Sequence, residues 1–458
     1  MQLRRQLNLF DATMLVVGNT VGAGIFTTAG FVAGELTNPW LFAGIWVVGG
    51  FLTLCGALTY AEMTSMFPRS GGDYLYLRAA YGPWAGFLLG WICLWVINPG
   101  SIAVLTLGLV KYLTGFPGVN HSMSERCIAL IIIISFSVVN YRSVRLTGTT
   151  ENLWTIGSLV ILLLFITGGL ISGKGDWRHF ADNNVGSSSL PVSKLFGPAM
   201  IAVVFSYSGW FVTTYIGDEV KRPELTLPLS LVIGTAIIVL LYVGINITYL
   251  YALPLRDLNG VMNVGQVAGE RLLGGHFVQI VTLAIMLAIA ASINATILAG
   301  PRLTYALAKD GLFWSHFAKL HDKYSTPYIA LLVQTILACL YVWVDTFENL
   351  LRAVVLMMLL SSIGSGLALL ILRLKVPSME RPYKTWGYPY ITLLFVAAYV
   401  YIAVQAFLAA PLKTFLGVAM TLSGIPVYFY GLRKREKGRR FLQDMRPRAR
   451  SRAGGSRG

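Results

Sequence analysis

The chain has 458 residues, of which 55% are hydrophobic and 12% charged, and its mean hydropathy is +0.66. Soluble domains carry about 25% charged residues, so a chain with half that fraction has too little polar surface to cover a water-exposed globule. The composition therefore excludes an ordinary soluble protein. It indicates a membrane protein, in which each spanning helix takes roughly 20 mostly apolar residues.

The formal net charge of +16 is concentrated near the C-terminus. Residues 433–458 hold 11 Lys and Arg against 2 Asp and Glu, which contributes +9 and leaves +7 for the rest of the chain. An Arg-rich tail with Gly and Ser beside a membrane helix is typical of a disordered segment that is drawn to anionic lipid headgroups. We therefore expect a membrane-surface role for the tail and no nucleic-acid binding.

Apolar segments separated by short polar loops predict an all-α membrane protein with about twelve transmembrane helices. The segments are 11–33, 41–66, 83–113, 124–141, 152–172, 194–217, 227–252, 275–305, 327–345, 347–373, 388–409 and 412–432. Between the second and third, the loop 68–82 mixes aromatic and charged residues at helical spacing. Either an interfacial helix or an ordinary solvated loop fits that pattern.

The distribution of basic residues predicts the orientation of the chain. With a cytoplasmic N-terminus and twelve spans, 27 of the 36 Lys and Arg fall on the cytoplasmic side. Cytoplasmic loops of membrane proteins carry such an excess. We therefore expect a multi-pass protein of the cell inner membrane with both termini cytoplasmic.

Two apolar segments contain clusters of small residues that favour an interrupted helix. The first carries GNTVGAGIF, with Gly18, Gly22 and Gly24, and the sixth carries FSYSGW at 205–210. At a rise of about 1.5 Å per residue, both clusters lie roughly 15 Å from a segment end, near the bilayer midplane. Close helix packing is the alternative explanation for the small residues.

A pair of broken helices at the midplane suits the binding of a zwitterion. Backbone N–H groups at the start of a half-helix favour a carboxylate, whereas freed carbonyl groups favour an ammonium group or a cation. Such a site needs no charged side chain, and the predicted spans contain almost none away from their ends. These features predict a transporter of amino acids.

Four stretches of the chain resemble the amino acid–polyamine–organocation (APC) superfamily, in its L-type amino acid transporter branch and the bacterial relatives of that branch. They are GNTVGAGIF (18–26), YAEMTSMFPRSGGDYLYL (60–77), FSYSGWFVTTYIGDEVKRPELTLPLSL (205–231) and SINATILAGPRLTYALAKDGLF (292–313). The resemblance implies a five-plus-five inverted repeat with discontinuous helices 1 and 6, plus two further helices. Its parts are a cytoplasmic N-terminus at 1–10, repeats at 11–172 and 194–373, helices 11 and 12 at 388–432, and the basic tail at 433–458.

The resemblance also implies a substrate-binding site. The backbone that holds the substrate carboxylate falls on Ala23 and Gly24, next to the break at Gly22. The carbonyl groups that receive the amino group fall on Thr20, Phe205 and Ser208. Phe205 further matches the aromatic side chain that closes over the substrate as a gate. Glu62 and Glu219, near cytoplasmic ends, match gating or loop-anchoring residues.

The chain departs from the family pattern in the fifth helix, and the departure leaves the coupling open. Many members have a lysine there whose ammonium group replaces a sodium ion, and the matching residue here is Ser158. Ser158 and Ser292 lie at similar predicted depth, so they are candidates for a sodium site, the only cofactor that we expect. Exchange without an ion and proton coupling remain alternatives. None of the four cysteines matches the external position that binds a heavy chain, so no disulfide-linked partner is expected.

Other functions find less support in the sequence. A membrane enzyme needs a nucleophile–base pair, a metal cluster or paired carboxylates within the membrane, and the chain shows none of these patterns. A channel usually shows repeated pore-lining motifs or charged rings. Within transport, the alternative substrate is a polyamine or another organic amine, which usually requires acidic pocket residues.

Overall fold

The computed structural model describes residues 5, 7–115, 124–142, 147–181, 192–409 and 411–429. The predicted basic tail lies outside the described residues, as do most of residues 1–6 and residues 116–123, 143–146, 182–191, 410 and 430–432. Within the described ranges, the regular elements are helices, and a single isolated bridge joins Leu7 to Val220. The structure is therefore all-α, as predicted.

Eighteen α-helices follow one another along the described chain. They are α1 Leu9–Thr20, α2 Ala23–Thr27, α3 Ala29–Glu35, α4 Pro39–Met66, α5 Asp73–Tyr81, α6 Pro83–Ile92, α7 Asn98–Thr114, α8 Glu125–Arg142, α9 Thr147–Ile171, α10 Val192–Ser206, α11 Pro223–Ala252, α12 Leu255–Leu258, α13 Val264–Leu273, α14 Gly275–Lys309, α15 Tyr328–Val344, α16 Phe347–Lys375, α17 Tyr390–Ala409 and α18 Pro411–Val427. A π-helical turn, Cys93–Ile97, joins α6 to α7.

Seven helical stretches among the described residues are long and apolar enough to cross a membrane, and four further apolar helices are shorter. The chain is thus a multi-pass membrane protein. Each of the twelve predicted apolar segments contains a helix in the structure. The number of crossings and the inverted repeat stay predictions.

Both predicted helix interruptions are present. The first helix stops at Thr20 and resumes as α2 at Ala23, which leaves Val21 and Gly22 outside regular helix. The sixth segment stops at Ser206 and continues as turns and the short 3-10 helix Val212–Tyr215, so its second half is not the α-helix predicted over 194–217. Gly209 has φ +100°, which only glycine adopts readily, and this turn ends the helix.

The segment 68–82 folds as a buried helix rather than a solvated loop. Its helix α5 begins at Asp73 directly after Gly71 and Gly72, whose φ angles are +145° and +51°. A Cβ atom at Gly72 would lie 2.6 Å from Thr214 Oγ1, so the turn requires glycine. This turn brings the start of α5 against the second half of the sixth segment.

A buried ion cluster fixes the predicted cytoplasmic ends of α4 and α16. Glu62 is fully buried and accepts hydrogen bonds from Arg373 Nε at 2.8 Å and Nη2 at 2.6 Å. It also accepts from the backbone N–H of Thr385 at 2.7 Å, and Arg381 Nε lies 3.4 Å from Oε1. The carboxylate therefore holds α4, α16 and the segment before α17 together, which agrees with a loop-anchoring role.

We expect Glu62→Ala to lower the free energy of unfolding by about 3 kcal/mol, because it leaves two partly buried guanidinium groups without their fully buried carboxylate. The thermal midpoint of the purified protein in detergent measures this loss. Glu125→Ala is the control, since Glu125 forms a half-exposed pair with Lys111 and such pairs contribute about 1 kcal/mol or less. Equal midpoints for the two variants would contradict the anchoring role.

Candidate functional site

A cavity of about 160 Å³ lies between the two helix interruptions. Such a volume holds roughly ten water molecules and accommodates a molecule of amino-acid size. Six of the residues predicted for substrate or ion binding line it, namely Thr20, Gly22, Gly24, Phe205, Ser208 and Ser292. The structure thus brings together the parts of the predicted site that come from the first, sixth and eighth predicted apolar segments.

Close packing at the first interruption requires glycine at two positions. A Cβ atom at Gly24 would lie 2.6 Å from Ser206 Cα, and one at Gly22 would lie 2.4 Å from Ser292 Oγ. Real Cβ atoms do not approach other atoms this closely, so a larger residue at Gly24 would push the two interrupted helices apart, and one at Gly22 would collide with α14. Ala23 starts α2 between these glycines. Gly22 and Gly24 line the cavity on either side of it.

The freed carbonyl groups at the breaks already accept hydrogen bonds. Thr20 O accepts from the Tyr242 hydroxyl at 2.7 Å and from Gly22 N–H at 2.8 Å, and Phe205 O accepts from the N–H and the hydroxyl of Ser208. The Tyr242 hydroxyl also lies 3.0 Å from Ser206 O, so it bridges the two breaks. A substrate ammonium group would therefore have to replace these donors at Thr20 and Phe205.

Further hydrogen bonds tie one interruption to the other. Asn19 Nδ2 donates to Gly209 O at 3.0 Å, and the hydroxyl groups of Thr28 and Ser206 lie 2.6 Å apart. The Phe205 side chain is buried at the edge of the cavity, in the last turn of α10. The polar contacts between the two interruptions therefore come from backbone, hydroxyl and amide groups.

Two buried hydroxyl groups on the cavity wall have no hydrogen-bond partner within the described residues: Ser101 Oγ on α7 and Ser292 Oγ on α14. A buried polar group left without a partner costs about 1–3 kcal/mol. A bound molecule with a polar group in this part of the cavity would recover that cost.

The structure does not bring Ser158 to the same cavity as Ser292. Ser158 lies on α9 and lines separate voids of about 10 Å³, one of them formed with Gly18, Val21 and Thr155. It is therefore next to the first interrupted helix, as expected, but Ser292 faces the central cavity instead. Among the described residues, no group of three or more His, Cys, Asp or Glu side chains is placed to hold a metal ion.

One charged side chain, which the sequence did not indicate, lines the cavity. Asp73, the first residue of α5, is 4% exposed, and its carboxylate accepts hydrogen bonds from Ser365 at 2.7 Å and Tyr215 at 3.1 Å. Burial raises the pKa of Asp73 above its ordinary value, although these hydrogen bonds oppose the rise. The expectation of a pocket without acidic residues is therefore wrong at this position.

Known proteins resemble this chain over nearly its whole length. The family model for amino acid permeases matches residues 7–430. The serine/threonine exchanger SteT of Bacillus subtilis is 29% identical over 95% of this chain and 98% of its own. The human large neutral amino acids transporter small subunit 2 is 31% identical over 94% of this chain and 81% of its own, and the human cystine/glutamate transporter is 30% identical over 93% and 85%.

The match of the family model covers both helix interruptions and the cavity between them. The relatives span the same length of chain and are named as transporters or exchangers of amino acids. Together, these findings show that the chain belongs to the amino acid permease family.

Proposed function

We propose that this protein exchanges neutral amino acids across the cell inner membrane by alternating access. The observation that carries the proposal is the cavity between two interrupted helices, whose apolar lining is joined by backbone and hydroxyl groups at the breaks. A zwitterion needs both a donor-rich and an acceptor-rich backbone end, and interrupted helices supply them. SteT of Bacillus subtilis, named as an exchanger, supports exchange over net uptake.

The substrate carboxylate binds at the start of α2. The first N–H groups of a helix have no intrahelical acceptor, and those of Ala23 and Gly24 follow the interruption at Gly22. The ammonium group binds on the opposite side, at the carbonyl groups of Thr20, Phe205 and Ser208. Substrate entry then replaces the Tyr242 and Ser208 hydroxyl donors that now occupy two of these carbonyl groups.

The substrate side chain extends toward α7 and α14. Ser101 and Ser292 present hydroxyl groups there without partners among the described residues, and no charged group accompanies them on this wall. A neutral side chain fits because a charged one would be desolvated without a counterion. Phe205 closes the cavity as the gate.

The proposal also covers the orientation of the chain in the membrane and whether it binds a heavy chain. The 27 basic residues on one side place both termini in the cytoplasm, with the basic tail near anionic lipid headgroups. Cys127 is the third residue of α8, within a helix rather than an external loop. We therefore propose that the transporter functions without a disulfide-linked heavy chain.

An organic amine is the second candidate substrate, and Asp73 is the observation that favours it. A cation without a carboxylate would use an acidic residue in the cavity. However, both oxygens of Asp73 already accept hydrogen bonds from the protein, and the side chain is almost completely buried. An amino acid therefore remains the better proposal.

Exchange measured with a panel of substrates separates the two candidates. Proteoliposomes loaded with radiolabelled serine should release label when external serine, threonine or alanine is added, but not when putrescine is added. Serine should exchange roughly fivefold better than alanine, because one hydrogen bond to a buried hydroxyl contributes about 1 kcal/mol. Efflux driven by putrescine alone would overturn the proposal in favour of an amine transporter.

Gly24→Leu should abolish exchange while the protein still inserts, because a side chain at this position collides with the Ser206 backbone and blocks the start of α2. The matched control is Gly44→Leu on α4, where a Cβ atom would meet no atom within 4 Å. Serine exchange and the monodispersity of both purified variants are measured together. Exchange at the wild-type rate in Gly24→Leu would show that the carboxylate site is misplaced.

Sodium coupling stays as the alternative to ion-free exchange. Ser292 has an unpartnered hydroxyl group within the described residues and Ser158 lies beside Val21, so a sodium ion would find hard oxygen ligands near the first interruption. We expect serine exchange to be equal with and without sodium, in the wild type and in Ser158→Ala. A sodium requirement that is lost in Ser158→Ala but kept in the exposed control Ser423→Ala would instead establish the sodium site.

A further inference from the structure

Asp73 lines the central cavity on the side that is predicted to face the cytoplasm. It belongs to the loop segment that the charge distribution places on the cytoplasmic side, yet it faces the same cavity as Gly22 and Phe205. The substrate groups described above bind at the interruptions and toward α7 and α14, and they leave this carboxyl group without a role. A buried acidic side chain in a transport pathway generally has a function.

The carboxyl group joins three elements that must separate when the cavity opens on this side. Asp73 is part of α5, Ser365 belongs to α16, and Tyr215 belongs to the 3-10 helix that follows the second interruption. Both hydroxyl groups donate to the carboxylate. A hydrogen bond to an ionised acceptor is roughly twice as strong as one between neutral groups, so the ionised form holds the three elements together most firmly.

The groups that surround Asp73 are neutral. Tyr60 on α4, Tyr76 on α5, Cys93 in the π-helical turn and Tyr215 are the titratable groups that face it. The Tyr60 hydroxyl is fully buried beside the carboxyl group and, like those of Ser365 and Tyr215, opposes the rise in the pKa of Asp73. No ion pair among the described residues involves Asp73.

We propose that Asp73 is a proton-binding site, and that proton uptake from the cytoplasmic side releases its hold on Tyr215 and Ser365 and opens the cavity in that direction. Water delivers the proton, the carboxylate becomes a neutral carboxylic acid, and one positive charge is bound for each opening. The proposal rests on transport through this cavity as described under the proposed function.

The raised pKa of Asp73 supports this assignment. Because burial favours the neutral form, the carboxyl group takes up its proton at a higher pH than an ordinary aspartate does. Protonation therefore increases as pH falls through the raised pKa. Transport should become faster in the same direction, by a factor approaching about ten per pH unit above that pKa.

The test measures serine exchange in proteoliposomes with equal pH on both sides, between about pH 5 and about pH 8, where a raised Asp pKa comes into range. We expect the wild-type rate to rise toward acidic pH and the rate of Asp73→Asn to be independent of pH. Tyr215→Phe removes one donor to the carboxylate, so its pH profile should shift to higher pH. Asp257→Asn, on the half-exposed α12 pair with Arg256, is the matched control and should keep the wild-type profile.

A second measurement needs no substrate and so separates this inference from the proposed function. Cys93 is buried in the cavity wall near Asp73, and opening exposes it to a water-soluble thiol reagent. Peptide mapping by mass spectrometry gives its modification rate without interference from the other three cysteines. Removing the Asp73 charge would by itself make the Cys93 thiol easier to ionise, so the comparison uses Tyr215→Phe, which keeps the carboxylate. At equal pH, Cys93 should react several-fold faster in Tyr215→Phe than in the wild type.

The outcomes are distinct. A wild-type chain without serine exchange, but with faster Cys93 modification in Tyr215→Phe, would overturn the substrate and keep the proton site. A pH profile in Asp73→Asn equal to that of the wild type would overturn the proton site, as would a wild-type rate indifferent to pH. If Asp73→Asn does not fold, the shifted profile of Tyr215→Phe decides the question. An increased KM with an unchanged pH profile in Asp73→Asn would assign the carboxylate to ammonium binding instead.

Discussion

The structure depends on one constraint: backbone polar groups in the membrane interior must find hydrogen-bond partners. Two interrupted helices free such groups at the same place, and the protein satisfies them mainly with its own side chains. The Tyr242 hydroxyl contacts the carbonyl groups of Thr20 and Ser206, and Asn19 donates to Gly209. Each interruption is thus stabilised by the other, and the cavity exists because the two lie together.

Local features of the sequence predicted the helices and the interruptions. Long apolar runs indicate spanning helices because the bilayer core is apolar. Gly22 and Gly209 weaken their helices because the glycine backbone is conformationally free. The partners of the freed groups were not predictable in this way. Tyr242 is 222 residues from Thr20 along the chain, and no periodicity reports such a contact. Asp73 was missed for the same reason, since its surroundings come from α4, α16 and the second half of the sixth segment.

Ser158 and Ser292 show the limit of predicting side-chain positions from the rise per residue of a helix. The rise per residue gives the depth of a side chain and tolerates an error of a few residues. The direction of a side chain changes by about 100° with each residue, so the same error changes the helix face completely. Depth alone placed both serines beside the first helix. The structure directs Ser292 into the central cavity and Ser158 into a neighbouring void.

The cavity separates two tasks that are often combined in one charged site. In the proposed mechanism, backbone and hydroxyl groups at the interruptions bind the polar ends of the substrate without any fixed charge, so the empty site carries no large desolvation penalty. Elsewhere in the cavity wall, the carboxyl group of Asp73 contacts the elements that separate in the proposed opening. A charge placed there affects the equilibrium between conformations more than the binding of substrate, because its partners belong to the protein. Substrate affinity and opening can therefore change independently through different residues of one cavity.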